Sequence, residues 1–140
     1  MFVNEETVND YKKQGVALLR NVISGDWLER LAKGIEKNFL NPSKYKCVYE
    51  QKNGKEIFYD DYCNWQRIEE YKDFIFNSDI AKIAAQLMQS KKVNLFHEHI
   101  LIKESGAKKR TPWHQDQPYY CVDGKDNCSL WIPLDKIIKE

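Results

Sequence analysis

The sequence predicts an α+β chain, and three observations carry that prediction. Apolar residues recur at three- and four-residue intervals through much of residues 1–92, β-branched and aromatic runs take over from residue 93, and Asn53-Gly54 separates two short β-prone runs. Residues 1–140 read as a single domain. Residues 1–92 give mainly helical support with an early strand and a hairpin, and residues 93–140 give strands and an HxD motif.

Residues 5–14 suit a short helix, and residues 15–20 form a compact apolar run behind a glycine, which predicts a buried strand. Ser24 is placed to cap the next helix, with Asp26 and Trp27 in its first turn; Leu28, Leu31, Ile35 and Phe39 line one face, and Pro42 lies beyond its end. Cys47-Val48-Tyr49 and Ile57-Phe58-Tyr59 flank Asn53-Gly54, a dipeptide that tolerates positive φ at both turn positions, so a hairpin is expected. Residues 65–76 and 79–89 read as two helices, the second carrying Ile80, Ile83, Ala84, Leu87 and Met88 on one side. Residues 93–102 read as a long strand. A polar loop over 104–110 leads to Thr111-Pro112-Trp113-His114-Gln115-Asp116, and residues 129–135 read as a last strand. The sequence ends five residues later at Glu140 without a capping helix or turn signal, which predicts an incomplete domain with sheet edges left open.

Composition narrows the function classes. With 42% hydrophobic and 31% charged residues the chain is neither disordered nor collagen-like, and 140 residues suffice for one modest core and not for two. A net charge of +1 from 22 basic and 21 acidic residues gives no electrostatic reason to expect nucleic acid or an anionic membrane as the main partner. Cys47, Cys63, Cys121 and Cys128 form no CxxC pair and are expected as reduced, buried small hydrophobes. The N-terminus lacks a basic and then apolar leader pattern, so a cytoplasmic protein is expected.

His114-Gln115-Asp116 carries the chemistry. On an extended segment residues i and i+2 point the same way, so an imidazole and a carboxylate converge while Gln115 faces away. A neutral imidazole, a carboxylate and a distant second histidine make the facial triad of non-haem Fe(II) oxygenases, which leaves three coordination positions open. A hydrogen-bonded His/Asp pair and a hydrolytic or structural zinc site use the same two residues.

Lys103-Glu104-Ser105-Gly106, the run from Thr111 through His114-Gln115-Asp116 to Tyr120, Val122-Asp123-Gly124, and Ser129-Leu130-Trp131-Ile132-Pro133-Leu134-Asp135 together resemble the phytanoyl-CoA dioxygenase family. The opening Gly15-Val16-Ala17-Leu18-Leu19-Arg20-Asn21-Val22-Ile23 resembles that family's first strand and the turn into its first long helix. The resemblance implies the N-terminal part of a double-stranded β-helix, a cupin-like jelly roll with flanking helices. It also implies an Fe(II)- and 2-oxoglutarate-dependent dioxygenase that uses dioxygen to hydroxylate a C–H bond of a small organic substrate.

Carried over by position, His114 and Asp116 match the first two iron ligands and are the catalytic candidates. Trp131 matches an aromatic position lining the 2-oxoglutarate pocket, and His99, four residues before Lys103, falls on a pocket-lining position of the preceding strand. Asn64 lies near a further pocket position. The carboxylate at 116 favours hydroxylation, since halogenating relatives carry a small residue there. The family's distal histidine and its 2-oxoglutarate-binding arginine have no counterpart in the sequence, so residues 1–140 alone are not expected to be a competent enzyme.

Blander roles stand beside these. His97 and His99 share one face of the expected strand and suit ordinary strand positions, Trp131 suits a core, and Tyr119 and Tyr120 suit either a substrate entrance or loop packing. Lys108-Lys109-Arg110 suits a solvated loop or an attractor for an anionic substrate. The alternative at the level of the whole chain is a non-catalytic cupin-like binding module that self-assembles into a homo-oligomer through exposed strand edges.

Overall fold

The computed structural model describes residues 3–50 and 57–138. Helix α1, Glu5–Gln14, starts where the Asn4 side chain accepts from the Thr7 amide at 2.8 Å. Glu5 and Glu6 sit in its first turn and Lys12 and Lys13 in its last, each sign at the end of the helix dipole that favours it. Gly15 ends it at φ 75°. Residues 15–20 then run without strand pairing, which corrects the expected early strand. Their alternation is that of a strand: Ala17 and Leu19 pack inward while Val16 and Leu18 are 65% and 72% exposed. What is missing is a neighbour to hydrogen-bond with among the described residues, and apolar alternation alone does not supply one.

Helix α2, Gly25–Leu40, is capped by Ser24, whose hydroxyl accepts from the Trp27 amide at 3.4 Å, and it stops at Asn41 just before Pro42. Leu31 and Ile35 turn inward, as the periodicity requires. Gly34 lies on the same side, and a Cβ there would fall 2.6 Å from Cε1 of Tyr71. That glycine is what lets α2 approach the helix that carries Tyr71 closely.

Strands β1, Cys47–Glu50, and β2, Ile57–Tyr62, pair antiparallel with Cys47 opposite Asp60 and Glu50 opposite Ile57. The midpoint of that register falls on Asn53-Gly54, which itself lies outside the described residues. Strand β3, His99–Lys103, adds antiparallel to the other side of β2, giving the order β1-β2-β3. The long strand expected over 93–102 is thus shortened at its start. Its partner β2 ends at Tyr62, opposite His99, and Cys63 leaves the sheet at φ 63°.

Helix α3, Glu69–Asn77, begins later than the pattern suggests, because a turn precedes it in which the Asn64 carbonyl accepts from the amides of Arg67 and Ile68, both at 3.0 Å. Helix α4, Ile80–Met88, buries Ile83, Ala84 and Leu87 as expected. Beyond β3 the regular structure reduces to a 3₁₀ turn, Gln117–Tyr119. Residues 129–135 also run without strand pairing, for the same lack of a neighbour among the described residues. Trp131 is 73% exposed, which overturns a core placement.

The expected single core is divided in two. Val3 and Val8 meet Ile83 and Leu87 where α1 packs on α4, and Ile68, Tyr71 and Ile100 meet Leu31 and Ile35 between the helices and the sheet. Strand alternation sends Tyr59, Asp61, Ile100 and Ile102 to that helix-covered face, and sends Phe58, Asp60, Tyr62, His99 and Leu101 to the other. Asp61 is fully buried and accepts from Asn38 Nδ2 at 2.8 Å, the Ser43 amide at 2.8 Å, the Ser43 hydroxyl at 2.5 Å and the Tyr59 hydroxyl at 3.1 Å. Burial pushes its pKa up, but these donors outweigh it and pull it down to about 2.

The cysteines are free, as expected, but not buried: Cys63 and Cys121 are exposed, and Cys47 and Cys128 half-buried. Cys63 stands outside the core because its positive φ turns it out of the sheet, and Cys121 because it lies in the irregular segment beyond the 3₁₀ turn. No helix among the described residues is long and apolar enough to cross a membrane.

Candidate functional site

The segment leading into the 3₁₀ turn sets the geometry of the HxD pair. His114 stands on irregular backbone, and Asp116, at φ −69° and ψ −36°, begins the turn. The imidazole and the carboxylate converge, with His114 Nε2 3.3 Å from Asp116 Oδ1. Each group is held from behind. His114 Nδ1 lies 2.7 Å from the Pro112 carbonyl, an acceptor, so this nitrogen carries the ring proton and donates. The Ser129 hydroxyl donates to Asp116 Oδ2 at 2.5 Å, and the Tyr119 ring meets the imidazole edge-on at 5.9 Å.

This arrangement has a chemical consequence. With the proton on Nδ1, Nε2 presents a lone pair to an anionic oxygen, and two acceptors 3.3 Å apart need a shared proton or a cation between them. Two donors each about 2.1 Å from one ion and at right angles to each other would stand about 3 Å apart, so the observed spacing fits two adjacent ligand positions. The pair therefore fits part of a divalent-metal site. Among the described residues no group of three or more His, Cys, Asp or Glu side chains completes one.

The uncovered face of the sheet looks toward this segment. Tyr62 on β2 meets His97 and His99 edge-on at 5.8 and 5.5 Å, and the two imidazoles lie 6.4 Å apart, nearly parallel. Tyr45 stacks on Tyr62 at 5.1 Å, while Phe96 and Tyr120 close on His97 at 5.0 and 5.3 Å. His99 Nε2 sits 3.9 Å from Asp60 Oδ2. Burial, and then the His99 charge, lower the pKa of His97, so its neutral form is favoured. The Asp116 carboxylate acts electrostatically on both His97 and Tyr120. That links the HxD pair to the aromatic face.

The other residues singled out from the sequence fall elsewhere. Trp131 stacks on no ring among the described residues. Asn64 is buried at the β2–α3 turn, where its amide donates to Glu98 and its Oδ1 accepts from Arg67 Nε at 2.8 Å. Lys108, Lys109 and Arg110 are all exposed, as in a solvated loop, and Lys109 Nζ lies 3.7 Å from the centre of the Tyr49 ring on β1. Two clefts, of about 530 and 260 Å³, open beside α2 and α3 and are lined by residues such as Arg30, Lys33, Glu69 and Asp73, none from the HxD segment.

Sequence reasoning missed Ser129 and Tyr62 as parts of this region. Tyr62 carried a usable signal, since it shares the alternation of Phe58 and Asp60. Ser129 carried none, being 13 residues from its partner in the chain. The model of the phytanoyl-CoA dioxygenase family matches residues 11–140. No curated protein and no solved structure matches the chain.

Proposed function

Because the chain belongs to the phytanoyl-CoA dioxygenase family, we propose that His114 and Asp116 are two protein ligands of an Fe(II) site and that the reaction is 2-oxoglutarate-dependent hydroxylation of a small organic substrate. Family membership suggests Fe(II)- and 2-oxoglutarate-dependent oxygenase activity. The observation that carries the reading is the 3.3 Å approach of Nε2 and Oδ1, each group tied back at its far atom by Pro112 or Ser129. When bound, Fe(II) and 2-oxoglutarate would supply the electrons that activate dioxygen, the oxidant of the reaction.

The chain's own residues hold and shield. The Pro112 carbonyl fixes the tautomer of His114, and Ser129 fixes the rotation of the Asp116 carboxylate. Tyr62, His97, His99 and Tyr120 form a largely aromatic wall beside the pair, suited to orienting a small organic molecule and excluding water. In this reading the three strands are part of a double-stranded β-helix, its interior being the face that bears Phe58, Tyr62 and His99. His99 and Trp131 are proposed to contact 2-oxoglutarate. With two protein donors the ion is held weakly, so residues 1–140 bind it only in excess, and turnover requires the family's domain completed by a distal histidine and arginine.

The expected result, in the completed domain, is oxygen-dependent formation of succinate from 2-oxoglutarate, stimulated by Fe(II) and lost in His114→Ala. Conversion that ignores Fe(II) or survives His114→Ala contradicts the reading. One observation favours a second reading, a self-assembling module: β3 has no partner on its outer side among the described residues, and Leu101 on it is exposed. A chain that elutes as a defined oligomer and makes no succinate would support that alternative.

A further inference from the structure

The two oxygens of Asp116 have different partners. Oδ1 faces His114 Nε2 at 3.3 Å, whereas Oδ2 accepts from the Ser129 hydroxyl at 2.5 Å. Ser129 is 13 residues further along the chain, so this is a tertiary contact and not a turn closing on itself. A hydroxyl has one proton to give and two lone pairs to offer. Here the proton goes to the carboxylate of Asp116, and Tyr120 stands four residues along the same segment. Tyr120 is in turn packed on Phe96 at 5.0 Å and His97 at 5.3 Å. Tyr120 thereby ties the HxD segment to the aromatic face.

The carboxylate torsion of an aspartate is broad, so an untethered carboxylate swings freely and also chelates a metal through both oxygens. A charge-assisted hydrogen bond on one oxygen removes that freedom. We propose that Ser129 is a positioning residue for Asp116: its hydroxyl holds Oδ2, so that Oδ1 alone is presented beside His114 Nε2 to a divalent ion. The proposal rests on the reading of His114 and Asp116 as an ion-binding pair. Single-oxygen attachment leaves one more coordination position for exchangeable ligands than two-oxygen chelation does.

The test titrates the full chain anaerobically with Co(II), whose visible absorption reports coordination number, in wild type, Ser129→Ala, Ser129→Thr and His114→Ala. Ser129→Ala is expected to weaken Co(II) binding about 10- to 100-fold, the range found when an outer partner of a metal ligand is removed. It should also alter the band intensity as the carboxylate turns to two-oxygen attachment. Ser129→Thr keeps the hydroxyl and is expected to restore both. A metal-free readout is the three-bond coupling across χ1 of Asp116, because an Oδ2 anchored on Ser129 holds χ1 together with the carboxylate torsion; it should report one rotamer in wild type and Ser129→Thr and averaging in Ser129→Ala. Unchanged affinity, spectrum and couplings in Ser129→Ala, or a loss that Ser129→Thr fails to restore, would overturn the positioning role, while loss in His114→Ala alone would still uphold the ion-binding pair. Co(II) binding absent from wild type, or equal in wild type and His114→Ala, would overturn both.

Discussion

The two faces of the small sheet do different work. On the helix-covered face, Asp61 is sealed from solvent and surrounded by donors from Asn38, Ser43 and Tyr59, and Ile100 meets Tyr71 and Ile68. On the other face, Tyr62, His97 and His99 form an aromatic and imidazole surface, opposite a segment whose own elements are irregular and whose Trp113 and Trp131 are exposed. The first face stores stability in apolar packing and in the donors gathered on Asp61, although Asn38 Oδ1 and the Tyr71 hydroxyl are buried there without a hydrogen-bond partner, and the second carries the imidazoles beside the HxD segment. Substitutions should therefore separate cleanly: the covered face sets the melting temperature, and the open face sets ligand binding.

The largest expected effect comes from removing the hub of the covered face. Asp61→Ala strands the donors of Asn38 and Ser43 in a buried site and should cost about 3 kcal/mol or more, measured by urea unfolding. A loss below about 1 kcal/mol would show that solvent reaches this face after all. Gly34→Ala comes next. Its new methyl would press on the Tyr71 ring from 2.6 Å, and overpacking of that kind costs about 1–3 kcal/mol, partly offset by the better helix propensity of alanine.

The third prediction concerns acid. Asp61 is held at about 2 in the folded chain against an ordinary 3.8, so the unfolded chain binds the proton more readily. Its contribution of about 2 kcal/mol is fully present above pH ~4 and is lost as the pH falls toward 2. Asp61→Asn should abolish this part of the acid dependence, and an identical pH profile for the two proteins would refute the assignment. The smallest expected stability change is on the open face. His114→Ala should shift unfolding by no more than about 0.5 kcal/mol, because the imidazole is partly exposed, while removing divalent-metal binding. A large fall in melting temperature there would dissolve the contrast between the faces.

What the sequence disclosed follows the same division. Local chemistry was partly legible: Ser24 and Pro42 bracket α2, the register of β1 and β2 centres on Asn53-Gly54, and His114 and Asp116 do converge, though at the start of a 3₁₀ turn and not on the extended segment that the i, i+2 argument assumed. Pairing was not. Residues 15–20 and 129–135 have the composition of strands, yet a strand exists only where another strand offers its amides and carbonyls, and composition does not report that. Asp61, Gly34 and Ser129 were equally silent, because each owes its role to a partner distant in the chain: Asn38 and Ser43, Tyr71, and Asp116.

The central proposal is that His114 and Asp116 together would hold one divalent ion beside the aromatic face. Substoichiometric Mn(II) added to the isotopically labelled chain tests it most directly, since the ion broadens only the resonances near it. The account predicts intensity loss at residues 113–120, at Ser129 and at His97, with α1 and α4 spared and the effect gone in His114→Ala. Broadening centred on the acidic residues beside α2 and α3, or a pattern unchanged in His114→Ala, would contradict it.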